Sequence, residues 1–175
     1  PEGRNIGYRH ISLSTCGLAD RIKMLAKEDM PITLSVSLHA PNQKMRAEMM
    51  PVAKKWHIDE LIGACREYIG VTGRRISFEY TMIDGVNDTH ECADELCRLL
   101  SGMLCHVNLI PLNNVEEKSY RKSSAKRIDE FTEYLEKHHI TATVRRKLGS
   151  DINASCGQLR KQHMQTESAK ESTEA

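Results

Sequence analysis

Cys156 lies in Asp151-Ile152-Asn153-Ala154-Ser155-Cys156-Gly157-Gln158, an irregular stretch with small residues on both sides of the thiol. A cysteine there is accessible, and small neighbours let a substrate approach, so it reads as a nucleophile or as an inert surface thiol. The other five cysteines carry less chemistry. Cys65 falls on an apolar helical face and reads as a buried small hydrophobe. Cys92 and Cys97 are five apart on one helix, roughly 140° around its axis, which is poor geometry for a shared metal. Cys105 opens a strand with no obvious partner, and Cys16 could be core or cavity lining. No C-x-x-C pair occurs, so no metal site is expected from this chain alone.

Four segments place hydroxyl, imidazole or amide groups at the ends of strand-like runs: Ser14-Thr15-Cys16-Gly17, Ser37-Leu38-His39-Ala40, Pro111-Leu112-Asn113-Asn114, and the loop 149–160. Each could hydrogen-bond a small molecule. Each could equally cap a helix or satisfy a turn; their shared position at strand ends favours a ligand. Two basic clusters add to them. Residues 118–127 carry five basic side chains and no acid, among them Arg121, Lys122, Lys126 and Arg127, and Arg145-Arg146-Lys147 follows the last strand. Such runs are commonly solvated faces, but Lys and Arg also neutralise phosphates locally, whatever the net charge. Tyr120 could add a stacking surface for an unpaired base.

The elements that must position these groups alternate between a period of two and a period near 3.6. Strands are expected at 10–15, 32–39, 76–82, 107–111 and 140–144. Helices fill the gaps, with apolar faces at Ile22, Leu25, Ala26 and Met30; at Ile58, Leu61, Ile62, Cys65, Tyr68 and Ile69; at Cys92, Ala93, Leu96, Leu99 and Leu100; and at Ile128, Phe131, Tyr134 and Leu135. Asp88 with Glu91 resembles a capping box, and the last helix is expected to start near Ser123 or Ser124. Four helix-length crossovers predict an α/β fold with a parallel sheet. Yet the strands alternate apolar residues with Ser12, Ser14, Ser35, Ser37, His39, Ser77, Glu79 and Thr81. A parallel sheet covered on both faces would be apolar nearly throughout. One face is therefore polar, as in an open barrel whose lumen holds a polar ligand near the strand C-termini.

Composition limits the remaining classes. The chain has 175 residues, enough for one ordinary domain. With 39% hydrophobic and 28% charged residues it is neither a disordered tail nor a membrane protein, and no apolar run approaches the roughly 18 residues of a span. Lys and Arg total 25 against 24 Asp and Glu, so net charge alone argues for no polyanion. Six cysteines are too sparse for a secreted disulfide scaffold. A cytoplasmic protein is expected. The chain opens on Pro1 rather than Met, and the expectation is a piece of something longer.

Five motifs occur in order: Ser37-Leu38-His39-Ala40-Pro41-Asn42; Phe78-Glu79-Tyr80 with Asp84-Gly85-Val86-Asn87-Asp88; Asn108-Leu109-Ile110-Pro111-Leu112-Asn113; Tyr120-x-x-Ser123-Ser124; and Asp151-Ile152-x-Ala154-x-Cys156-Gly157-Gln158-Leu159. Together, over about residues 4–160, they resemble the RlmN-type radical S-adenosylmethionine methyltransferases, which modify adenine in 23S ribosomal RNA and in transfer RNA. The resemblance implies half of an open (β/α), TIM-like barrel. Residues 1–160 would be the C-terminal part of the catalytic barrel; 161–175, polar and without periodicity, is expected from its composition to be a disordered tail. It also implies that Ser14, Ser37, Leu38, His39 and Asn113 bind S-adenosylmethionine, and that Cys156 is the cysteine methylated in the first half-reaction. Tyr120, Arg121, Lys122, Arg145 and Arg146 are the candidate RNA contacts.

The family's chemistry explains the cysteine. Carbon 2 of adenine is electron-poor and cannot attack a sulfonium methyl directly. One S-adenosylmethionine methylates the cysteine; a second is cleaved reductively at a [4Fe-4S] cluster, using an electron donor, and the radical formed takes hydrogen from the S-methyl group. The resulting carbon radical adds to adenine, and another cysteine releases the product through a transient disulfide. This chain lacks the C-x-x-x-C-x-x-C cluster motif, and with it the Gly-Glu cofactor motif, the releasing cysteine and the N-terminal RNA-binding domain of the family. Asn153 and Ser155 stand where an Asp and an Ala are usual. The expectation is a parent enzyme that is a monomer at full length, with no membrane association, and a fragment inactive alone. Two rival readings are a related enzyme that methylates carbon 8 of the same nucleotide and a non-enzymatic half-barrel that only binds RNA.

Overall fold

A computed structural model describes residues 7–28, 30, 32–112 and 120–145. Its strands are β1 (Ser12–Thr15), β2 (Thr33–Ser37), β3 (Ile76–Met82), β4 (Cys105–Pro111) and β5 (Ala142–Val144). Its helices are α1 (Ala19–Ala26), α2 (Gln43–Met49), α3 (Ile58–Thr72), α4 (His90–Leu100) and α5 (Ala125–Lys137). All five strands are parallel and neighbour one another in chain order, β1-β2-β3-β4-β5. A sheet whose crossovers all step the same way, with the usual right hand, carries all its helices on one face. The other face stays open.

Burial follows that geometry. Leu34 and Val36 on β2, Ile76, Phe78, Tyr80 and Met82 on β3, and Val107 and Leu109 on β4 are buried beneath the helices. The alternate residues Ser35, Ser37, Ser77, Glu79, Thr81, His106 and Asn108 are only half-buried on the opposite face. Period-two alternation sorts the side chains to two faces, so the polar face expected from the sequence is present.

Local signals set most element ends. Glu60 reaches back to the backbone N–H of His57 at the start of α3, and Gly73, at φ 62°, ends it. Ser124 caps α5 by accepting the Arg127 N–H at 3.2 Å. The capping box assigned to Asp88 and Glu91 is corrected: Thr89 caps α4 through the Cys92 N–H, and Asp88 instead accepts the Gly85 N–H of the preceding turn. Met30 lies beyond α1, which ends at Ala26, and His10 belongs to a 3-10 turn before β1. No apolar stripe in the sequence announces the short α2, in which only one of seven residues, Arg46, is buried. Among the described residues no helix is long and apolar enough to cross a membrane.

Candidate functional site

In a parallel sheet every strand ends on the same edge, so the C-terminal ends of β1 to β5 share one rim. Ser14 lies on β1 opposite Ser35, and Ser37, the last residue of β2, lies opposite Glu79. The chain leaving β2 is then held tightly. The Glu79 carbonyl accepts both the Leu38 N–H at 3.0 Å and the His39 N–H at 3.2 Å. The Leu38 side chain is fully buried, so only its backbone could meet a cofactor. His39 follows with φ 57°, the left-handed region that non-glycine residues rarely adopt.

Asn87 holds this strained residue in place. It is 0% exposed, and its side-chain amide donates to the His39 carbonyl at 2.8 Å and to the Thr81 carbonyl at 2.6 Å. Its Oδ1 accepts the Ile83 N–H at 2.8 Å, and its own carbonyl accepts the Tyr80 hydroxyl. One buried amide thus locks the end of β2 to the end of β3. The sequence shows Asn87 only as part of a turn.

The imidazole of His39 is equally defined. Its Nδ1 accepts the Thr81 N–H at 3.1 Å. In the neutral ring the proton must therefore sit on Nε2, which becomes a donor. Burial, and secondarily the Arg46 guanidinium, push its pKa down to about 4. The fold thus keeps His39 neutral, whereas the unfolded chain protonates it near pH 6.5, roughly the free value. Between those values the unfolded state binds more protons, so stability is full above about pH 6.5 and declines as pH falls toward 4. Urea midpoints should drop between about pH 7 and about pH 4.5, and His39→Gln should flatten that slope; an equal slope in both proteins would contradict it.

Below the rim, the open face carries a linked polar row. The Thr143 hydroxyl lies 2.8 Å from His106 Nε2, and His106 Nδ1 lies 3.2 Å from the Ser77 hydroxyl. Ser77 donates to Glu79 Oε1 at 3.4 Å, and Asn108 donates to Glu79 Oε2 at 2.7 Å. A consistent donor order runs from Thr143 through an Nδ1-protonated His106 to Ser77 and Glu79. Burial, then Arg75, depress the His106 pKa, while Glu79 opposes them. The sequence marks Ser77 and Glu79 as polar-face residues but gives no sign that they form a network with His106, Asn108 and Thr143.

The basic candidates reach the same rim. Lys122 pairs with Ile83 in an isolated antiparallel bridge, and the Arg121 carbonyl accepts the Asp84 N–H. Both side chains are exposed, beside the end of β3; Tyr120 next to them is half-buried. Arg145 donates its backbone N–H to Leu109 and leaves its side chain exposed past β5. Lys126, by contrast, pairs with Glu130 at 3.8 Å, which weakens the reading of an acid-free cluster. Asn113, Arg146 and Cys156 lie outside the described residues.

The rim suits a polar, hydrogen-bonding cofactor. Hydroxyls at Ser14 and Ser37, backbone at Leu38 and an Nε2 donor at His39 supply the kinds of group that S-adenosylmethionine requires. An iron–sulfur cluster is not matched: among the described residues no three His, Cys, Asp or Glu side chains converge. Cys65, Cys92, Cys97 and Cys105 are buried thiols, and burial pushes the Cys65 pKa up to about 12. Cys16 is exposed.

A singly wound parallel sheet with an open polar face and a hydrogen-bonding rim is the architecture of the radical S-adenosylmethionine enzymes. A crystal structure of a radical SAM methyltransferase from Sphaerobacter thermophilus superposes with a TM-score of 0.86 at 51% identity, covering 89% of this chain and 46% of that one. A domain of pyruvate-formate lyase-activating enzyme from Bacteroides vulgatus shares the fold at 14% identity and a TM-score of 0.62, covering 77% of this chain and 80% of its own. Among curated proteins, the probable dual-specificity RNA methyltransferase RlmN of Alkaliphilus oremlandii is 60% identical over 163 residues, 93% of this chain and 48% of that protein. The RlmN of Clostridium novyi, also described as probable, is 54% identical over 160 residues, 91% of this chain and 47% of that protein. No protein-family model matches the chain. The chain is similar to these RlmN-type methyltransferases over about nine-tenths of its own length, and it spans about half the length of the curated relatives it matches.

Proposed function

We propose that this chain is the S-adenosylmethionine-binding part of an RNA methyltransferase acting on carbon 2 of adenine in 23S ribosomal RNA and transfer RNA, with Cys156 carrying the methyl group. The observation that supports it most is the rim at the ends of β1 and β2. There Ser14, Ser37 and a neutral His39, whose tautomer is fixed by the Thr81 N–H, line one edge of an open polar face. Its relatives are named as dual-specificity RNA methyltransferases, which supports RNA as the substrate class.

When bound, S-adenosylmethionine supplies an electrophilic methyl group. This chain's residues orient it: the His39 Nε2–H and the serine hydroxyls donate, while buried Leu38 presents backbone. Asn113 is assigned to the same cofactor. The Cys156 thiolate accepts the methyl as a soft nucleophile, because the electron-poor adenine carbon cannot take it directly. Arg121, Lys122, Arg145 and Arg146, with Tyr120, are assigned to the RNA backbone and to an unpaired base. The described residues offer no ligand set for a [4Fe-4S] cluster, so the cluster and its electron donor are assigned to other parts of a working enzyme. That enzyme is read as a cytoplasmic monomer.

Calorimetric titration with S-adenosylhomocysteine tests the binding half of this proposal. The chain should bind it, and His39→Ala should weaken binding about tenfold, the size of one buried hydrogen bond. No heat of binding, or unchanged affinity in the variant, would contradict the assignment.

A further inference from the structure

The strand ends that form the rim rest on a buried cation that the proposed chemistry does not use. Arg46, on α2, is 0% exposed. Its Nη2 donates to the Cys16 carbonyl at 2.8 Å, just past β1, and to the Ser37 carbonyl at 3.3 Å, at the end of β2. Its Nε and Nη1 have no hydrogen-bond partner among the described residues, and no carboxylate pairs with it there. The titratable groups that act on it are the Cys16 and Cys65 thiols, and it acts in turn on His39.

Such a group costs stability. A buried guanidinium without an anion pays desolvation that two carbonyls offset only in part, and an apolar side chain of similar size would pack at less cost. The neighbouring backbone is built around it. Gly17 sits at φ 103°, and a Cβ there would lie 2.7 Å from Arg46 Nη2. Asn42 caps α2 by accepting the Met45 N–H at 3.0 Å, which fixes the helix that delivers the guanidinium. Gln43, on the same helix, accepts the Ile58 N–H at 2.9 Å and ties α2 to the start of α3.

We propose that Arg46 is a positioning residue, which clamps the C-terminal ends of β1 and β2 at the spacing that Ser14 and Ser37–His39 need to hold one ligand. The inference deepens the cofactor reading and rests on it. Arg46 touches no ligand; it acts through two carbonyls and through the charge it places beside His39. Both bonds leave one nitrogen at the tip of the guanidinium, and the rigid planar head holds that nitrogen in place better than the flexible stem of a lysine would.

The test compares the wild-type chain with Arg46→Met and Arg46→Lys. Circular dichroism and urea unfolding report folding, NMR titration of the ring reports His39, and calorimetry with S-adenosylhomocysteine reports the rim. Arg46→Met should fold, bind about tenfold more weakly or worse, and titrate His39 at a higher pH than the wild type. Arg46→Lys keeps the charge but not the rigid planar head that places Nη2 between the two carbonyls, so His39 should stay low while affinity falls between the other two. A folded Arg46→Met with wild-type affinity would overturn the proposal, whatever the titration of His39. If Arg46→Met does not fold, Arg46→Lys decides: intermediate affinity supports the clamp, and wild-type affinity overturns it. A wild-type chain that binds no S-adenosylhomocysteine sinks the cofactor reading instead, and the clamp is then read from the backbone amide resonances of Gly17 and Leu38, which should move in Arg46→Met if the strand ends come apart and stay in place if they do not.

Discussion

Asn87→Ala should cost the fold about 3–5 kcal/mol, because three backbone groups around a fully buried side chain lose their partner at once. The Ile83 N–H and the His39 and Thr81 carbonyls are each bonded to the Asn87 side chain, and Asn87 itself is fully buried. Water cannot replace the amide without opening the end of β3. The loss should appear as a lower urea midpoint with an unchanged slope, since the same surface is exposed on unfolding. The strained His39 backbone, released from its clamp, should relax out of the left-handed region, and ligand affinity at the rim should fall with it. A stability loss below about 1 kcal/mol would mean that the turn, not the amide, holds the two strands.

Cys156→Ala should abolish methyl transfer while leaving S-adenosylmethionine binding intact. The expectation follows from the chemistry assigned to the thiol. The electron-poor adenine carbon cannot attack a sulfonium methyl, so a carrier is required, and a methyl side chain offers no nucleophile. Binding is assigned to Ser14, Ser37–His39 and Asn113, none of which the substitution touches. The assay is best made in a chimera in which this chain replaces the matching half of the Alkaliphilus oremlandii relative, which is 60% identical. Residual turnover near wild type would remove Cys156 from the mechanism and return it to the surface thiols.

Much of the fold was legible because its signals are local. The period-two runs at 76–82 and around Leu34 and Val36 are long enough to name strands, and helix-length gaps force parallel pairing. The polar residues alternating along those strands already pointed to an open face. Element ends were less legible: Asp88 and Thr89 are both good caps, and the choice depended on which one the Gly85 turn recruited. Of the candidate rim, Ser14, Ser37 and His39 stand out in the sequence by their place at strand ends, while their assignment to S-adenosylmethionine comes from the resemblance of motifs.

What escaped the sequence is what tertiary structure alone creates. Asn87 looks like any turn asparagine until β2 and β3 bring the His39 carbonyl to it, 48 positions back in the chain. Arg46 sits in a seven-residue helix with no apolar stripe, and a lone arginine there reads as solvated until Gly17 and two strand ends close over it. The His106–Ser77–Glu79–Asn108 row joins residues of neighbouring strands, and only the register makes them partners.

We propose above that this chain supplies the cofactor rim and the carrier cysteine of an adenine carbon-2 methyltransferase. The most direct test is mass spectrometry of ribosomal and transfer RNA after reaction with that chimera and S-adenosylmethionine. One added methyl group, located on carbon 2 of adenine, is expected. A methyl group on carbon 8, or unmodified RNA from a folded chimera that binds the cofactor, would contradict it.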